Sequence, residues 1–270
     1  MIKLLKVDYH VHTSFSDGEA SYESVLARAG EIGLDCIAIT DHFDKYDENP
    51  KTRGLTEEAL YEHFSGIREY AARIGVNPLC GIETCTDFYG NLRLSDRVLS
   101  LCDIIITSPH YIEYDAGLEP GNYFDARYWG KYKEKVINLA GGQGDILGHC
   151  EGYLPIGRLL MPNTTTYDQR KAICRCIAEK FFDEEYINEL SKVLNKSGKA
   201  LELHCVTQSP RESVIESLEK AGVKFSIGSD AHVLEAVGNT NWGLEMLEKY
   251  NGRFFIDNKK FNVDKGEIKC

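Results

Sequence analysis

The sequence predicts an α/β protein in which a parallel sheet curls into a closed or nearly closed barrel. Seven short apolar runs alternate with helical patterns, which is the signature of βαβ units and a parallel sheet. Seven such units fit within about 230 residues, a spacing that suits a barrel better than an open sheet. No Pro/Gly/Ser-rich linker, repeat or low-complexity block interrupts them, so one domain over residues 1–270 is expected.

The first strand runs from Leu4 to Tyr9. Ser21 caps a helix with Val25, Leu26, Ala29 and Ile32 on one face, and Gly33 stops it. Asp35 to Thr40 is an apolar run of the kind found in strands covered on both faces. Thr56 to Ile74 is helical, Pro78 to Ile82 is the third strand, and a short helix around Ser95 to Leu101 precedes the fourth, Asp103 to Thr107. Lys131 to Leu139 is a helix and Asp145 to Gly148 the fifth strand. Tyr167 to Lys196 holds two helices; Asp183 caps the second, which buries Ile187, Leu190 and Leu194 and ends at Gly198. Ala200 to Leu203 is strand six, Arg211 to Ala221 a helix, Val223 to Ile227 strand seven and Trp242 to Tyr250 the last helix. Arg253 to Ile256 finds no place in this scheme.

Composition narrows the functional classes. The chain has 270 residues, is 43% hydrophobic and carries a net charge of −11, from 31 basic and 42 acidic side chains. An acidic protein is a poor partner for long nucleic acid, whose backbone calls for a basic surface. To act on a phosphate it must supply positive charge locally, as metal ions or a few arginines. No stretch approaches the roughly 18 apolar residues of a membrane helix, and Met1 to Lys6 lacks a signal-peptide pattern, so a cytoplasmic protein without membrane contact is expected. Nine cysteines stand singly, at 36, 80, 85, 102, 150, 174, 176, 205 and 270. With an odd count and no Cys-x-x-Cys pair, reduced and mostly buried thiols are expected.

The histidines indicate the chemistry. Of the eight, at 10, 12, 42, 63, 110, 149, 204 and 232, all but His63 fall at or just past the C-terminal end of an expected strand. In parallel barrels that rim carries the active site. Asp17, Asp41, Glu83 and Asp230 fall on the same rim. In His10-Val11-His12 the period of a strand aims both imidazoles the same way. Histidine with carboxylate is a ligand set for zinc, manganese or iron, and so many donors exceed the needs of one tetrahedral ion. One histidine after a strand means little; seven together are hard to attribute to core packing.

Taken in order, His10-Val11-His12-Thr13, Ser16-Asp17-Gly18, Thr40-Asp41-His42, Gly81-Ile82-Glu83, Ser108-Pro109-His110, Gly148-His149 and Gly228-Ser229-Asp230-Ala231-His232 resemble the polymerase-and-histidinol-phosphatase (PHP) family, and within it the stand-alone histidinol-phosphatase type. The resemblance implies a distorted (β/α)7 TIM-like barrel with two or three divalent ions, zinc, manganese or iron. His10, His12, Glu83 and Asp230 would hold the first ion; Glu83, His110 and His149 the second, with Glu83 as the bridge; and Asp17, His42 and His232 the third. The expected activity is release of phosphate from a small phosphomonoester by attack of a metal-bridging hydroxide. Two alternatives are a phosphoesterase acting on nucleotides or oligonucleotide ends, and a non-catalytic metal-binding module, though no ligand motif is lost.

Glu202-Leu203-His204-Cys205 departs from the Glu-Ile-Asn-Thr typical of histidinol phosphatases, and so does the aromatic segment of Tyr111, Tyr114, Tyr123, Phe124, Tyr128, Trp129 and Tyr132. Both fall where substrate would be read. His204 and Asp41 are the candidates for donating a proton to the leaving group, with His204 also a candidate substrate contact. Arg158, then Arg127 and Arg211, are the candidates for phosphate binding, since a guanidinium matches phosphate oxygens. Loops 43–55, 111–130 and 151–165 are long enough to serve as lids, and the aromatic rings are expected chiefly to pack their loop onto the barrel. Amidohydrolases also begin with His-x-His on a barrel. They carry a bridging lysine after strand four, where this chain has Ser108-Pro109-His110.

Overall fold

The computed structural model describes residues 5–44, 52–112, 125–156 and 165–255. The expected strands form in the expected order: β1 (Val7–Val11), β2 (Cys36–His42), β3 (Leu79–Thr84), β4 (Ile104–Thr107), β5 (Ile146–Leu147), β6 (Ala200–His204) and β7 (Lys224–Gly228). The helices are α1 (Tyr22–Ile32), α2 (Glu57–Ile74), α3 (Asp96–Leu101), α4 (Ala126–Gly141), α5 (Tyr167–Phe181), α6 (Glu184–Ser197), α7 (Glu212–Lys220) and α8 (Asn241–Tyr250).

Local signals set these boundaries. Ser21, Thr56, Ser95, Thr166 and Asp183 each accept a backbone N–H of the first turn that follows, and Gly33, Gly75 and Gly198 end their helices at positive φ. The expectation for α4 needs correction: it starts at Ala126, capped by Asp125, five residues before Lys131. That added turn buries Tyr128 and Trp129, with Tyr132 on the same face. These three rings are core packing, whereas Tyr114, Tyr123 and Phe124 lie outside the described residues.

Every sheet pairing is parallel, in the order β1 to β8. The eighth strand is Arg253–Phe254, the segment the sequence left unplaced, and it pairs with Lys224 and Phe225 of β7. It lies against β1 as well, where Phe254 and Phe255 place their rings about 6 Å from that of Tyr9. The seam between β1 and β7 is therefore closed at one end only. There the His12 amide donates to the Ala231 carbonyl at 2.9 Å. The result is a distorted TIM-like barrel.

The strands divide their side chains between two sides. On β2, Ile37 and Ile39 pack with Leu60, Phe64 and Ile67 of α2, while His42 turns to the mouth. On β3, Cys80 and Ile82 join that outer cluster and Glu83 faces inward. The second apolar cluster lies under α4 to α8. Among the described residues six of the eight cysteines are buried, and no helix is long and apolar enough to cross a membrane.

Candidate metal centre

All nine expected ligands converge at the C-terminal mouth of the barrel. His10 and His12 both direct Nε2 at the same two carboxylates: His10 lies 3.3 Å from Glu83 Oε2 and 3.5 Å from Asp230 Oδ1, and His12 lies 3.6 Å and 3.1 Å from them. A tetrahedral ion with bonds of 2.0–2.1 Å sets its ligands about 3.3 Å apart, so these four atoms have the spacing of a zinc-sized coordination shell. The Nε2 atoms of His10 and His12 are buried without a hydrogen-bond partner. Buried polar atoms are seldom left so, and a cation among them resolves the deficit.

Glu83 divides its oxygens. Oε1 faces His110 Nε2 at 3.0 Å and His149 Nε2 at 2.7 Å, on the other side from His10 and His12. Around Asp17 Oδ1 stand His232 Nε2 at 3.2 Å and His42 Nε2 at 3.7 Å, with His42 Nδ1 at 3.1 Å from Glu83 Oε2. Three overlapping sets of donors lie close enough for each to hold an ion: His10, His12 and Glu83; His42, Glu83 and His110; and His12, Asp17, His42 and His232.

Carboxylates and imidazoles shift one another's protonation at this centre. Burial alone would raise the Glu83 carboxyl, but His110, His10, His42 and His149 hold it well below the usual range. Asp230 behaves likewise against burial, through His10, His12 and His204. Burial, with His12 and His110, lowers His42 to about 4, leaving a neutral imidazole with a lone pair to offer. In His232, Asp17 and Asp230 outweigh burial and raise the imidazole to about 9.

Supporting residues fix the donors. Glu202 Oε1 meets His10 Nδ1 at 2.7 Å, which leaves Nε2 for the centre, and Glu202 Oε2 accepts the His149 amide at 2.7 Å. A Cβ on Gly228 would come within 2.3 Å of Glu202 Oε1 and 2.5 Å of His10 Cβ, so only glycine leaves room for this pair. Asp8 accepts Ser229 N at 2.9 Å, Ser229 Oγ at 2.6 Å and Gly238 N at 2.8 Å, anchoring the loop that carries Asp230 and His232. Asp230 itself adopts φ 54°, a left-handed conformation that a short acidic side chain tolerates and that is often found at functional sites. The sequence analysis did not single out Glu202 as an orienting group, nor Asp8. The adjacency of Glu202 to His204 and of Asp8 to His10 was the available signal.

The other expected site residues take different places. Asp41 lies on the opposite side of β2 from His42 and accepts Thr13 N, Thr13 Oγ1, Ser16 Oγ and His63 Nε2 at 2.6–2.9 Å. Burial would raise its carboxyl, but the His63 contact and the other hydrogen bonds lower it to about 2. It is a brace for the loop after β1, not a proton donor. His204 is fully buried, with Nε2 3.0 Å from Asp230 Oδ2 and Nδ1 2.5 Å from Thr207 Oγ1, and it orients Asp230 without lining the mouth. Arg127 is exposed and pairs with its own helix cap, Asp125. Arg211 pairs with buried Glu151 and donates to the Phe182 carbonyl, away from the mouth. Arg158 lies outside the described residues. The arginine that does line the mouth is Arg170, in the first turn of α5, beside Tyr153, Tyr167 and Asn239 in a cavity of about 690 Å³. An arginine on an exposed helical turn gave the sequence no reason to single it out.

The chain resembles known proteins in sequence and in fold. Residues 8–205 match the PHP domain family. A probable phosphatase of Thermoanaerobacter sp. (strain X514) is 28% identical over 273 residues, covering 98% of this chain and 93% of that protein. The DNA polymerase/3′-5′ exonuclease PolX of Bacillus subtilis (strain 168) is 26% identical over 91% of this chain, which spans only 37% of PolX. Among solved structures, histidinol phosphate phosphatase from Lactococcus lactis subsp. lactis Il1403, in complex with zinc, L-histidinol and phosphate, superposes with a TM-score of 0.67 over 94% of this chain and 96% of that one. At 20% identity it is a likeness of fold.

Proposed function

We propose a substrate class for a chain that belongs to the PHP domain family and is a metal-dependent phosphoesterase: it releases phosphate from small phosphomonoesters. The observation that carries this reading is Glu83, whose two oxygens each serve a separate donor group. His10, His12, Glu83 and Asp230 would hold one divalent ion, Glu83, His110 and His149 a second, and Asp17, His42 and His232 a third. Ions so held supply a nucleophilic water at neutral pH and a positive charge that steadies the transferring phosphoryl group.

The chain's own residues arrange the rest. Glu202 and His204 orient His10 and Asp230, so the donors need little rearrangement. An acidic protein that binds phosphate must offset its own charge locally, and here the ions would do so.

A phosphate-release screen of metal-analysed protein against histidinol phosphate, sugar phosphates and nucleoside phosphates tests the reading. Turnover of a monoester, collapsing in Glu83→Gln, is expected; near-wild-type turnover in that variant overturns it. A second reading, action on nucleotides or oligonucleotide ends, draws on the likeness to PolX. It gains if histidinol phosphate is inert beside a rapidly hydrolysed nucleotide.

A further inference from the structure

One wall of the mouth has no part in holding ions. The Tyr153 ring stands 5.6 Å from that of His149 and 6.4 Å from that of Tyr167, and the two tyrosine hydroxyls are 3.1 Å apart. Tyr167 and Arg170 lie three residues apart on α5 and so share a face. Outward from the ligand cluster the rings follow in the order His149, Tyr153 and Tyr167, and Arg170 lines the same cavity.

Arg170 is the only lysine or arginine among the described residues that line this cavity. Its guanidinium donates one hydrogen bond, to the Thr165 carbonyl at 3.0 Å. Among the described residues no carboxylate lies within the 4.0 Å of an ion pair, whereas Arg68, Arg93, Arg97, Arg175 and Arg211 each have one. A guanidinium has five N–H donors, so most of those on Arg170 are left for a bound molecule. The lining carboxylates, Glu83 and Asp230, are both taken up by histidines. The wall therefore offers a cation, two rings and no anion of its own.

We propose that Arg170, with Tyr153 and Tyr167, forms a distal subsite that selects phosphomonoesters whose leaving group carries a second negative charge beyond an apolar or ring-shaped spacer. This rests on the phosphatase reading above. Among the described residues Arg170 makes no hydrogen bond or ion pair with a candidate ligand, so with phosphate on the ions its guanidinium is placed to meet the leaving group. An amino-alcohol phosphate would instead bring its ammonium group against Arg170, with no unengaged carboxylate among the described lining residues to receive it.

The test uses 4-carboxyphenyl, phenyl and 4-(aminomethyl)phenyl phosphates with the wild type, Arg170→Gln and Arg170→Glu. The wild type should favour the carboxylate over the ammonium substrate by about tenfold or more in kcat/KM, as one charge-assisted contact allows. Arg170→Gln should level the series and Arg170→Glu invert it, with phenyl phosphate turnover and metal content little changed. Calorimetry with 4-hydroxybenzoate and 4-hydroxybenzylamine reads the same preference without chemistry, so a retained preference with no turnover supports the subsite while sinking the phosphatase reading. Equal handling of the three substrates by the wild type overturns the proposal. So does an equal loss on all three in Arg170→Gln with weaker inhibition by inorganic phosphate, which would make Arg170 a phosphate contact.

Discussion

Glu202 and His10, 192 residues apart in the chain, meet at 2.7 Å between Oε1 and Nδ1. Glu202 takes the Nδ1 side of the His10 ring, which turns Nε2 toward Glu83 and Asp230. In Glu202→Gln an amide N–H₂ facing Nδ1 would push the ring proton to Nε2 and block the ligand position. Metal affinity should fall roughly 10–100-fold while the metal-free protein unfolds at an unchanged temperature. Chelator competition measures it; unchanged affinity would remove Glu202 from the account.

Asp8 clasps the loop after β7 through both of its oxygens. Asparagine keeps one acceptor where aspartate has two, so part of this set must lose its partner. Asp8→Asn should destabilise the metal-free protein by about 2 kcal/mol. A urea midpoint matching the wild type would show that the clasp does not hold the seam.

Arg127 and Arg211 separate on stability and activity. Arg211→Ala leaves Glu151 buried without its partner and should cost about 3 kcal/mol. Arg127→Ala removes an exposed pair and should leave kcat/KM within about twofold. Thermal unfolding and steady-state kinetics on both variants check this, and a tenfold loss in Arg127→Ala would restore it as a substrate contact.

The fold was legible because strands covered on both faces read as apolar runs and because the helices carry explicit caps. The candidate ligands were legible because most stand at or just past a strand end, where topology alone brings distant segments together. The strand Arg253–Phe254 was not, since, unlike the buried pair of β5, it is an exposed and a half-buried residue on the sheet edge. Glu202 and Arg170 were missed for a different reason. Their roles depend on partners set by the barrel's closure and by the packing of α5, and neighbouring residues in the chain give no sign of either. Asp41 was misassigned because a carboxylate next to a ligand on a strand points to the other face.

The buried tyrosines predict an alkaline limit. Burial pushes the Tyr132 hydroxyl well above its ordinary value of 10, and it donates to the Cys150 carbonyl at 2.7 Å. A raised folded value gives stability that is complete below pH 10 and is lost above it, as the unfolded phenol ionises first. Tyr132→Phe should lessen the loss by up to about 1.4 kcal/mol per pH unit above pH 10, read as the difference between denaturation midpoints. Parallel curves for the two proteins would refute it.

The central claim is that side chains from distant stretches of the chain gather around cations at one mouth. Elemental analysis of the purified, dialysed protein tests it most directly. The account predicts at least two equivalents of zinc, manganese or iron per chain, falling below one in Glu83→Gln. A wild-type protein that retains no transition metal in stoichiometric amount would contradict it.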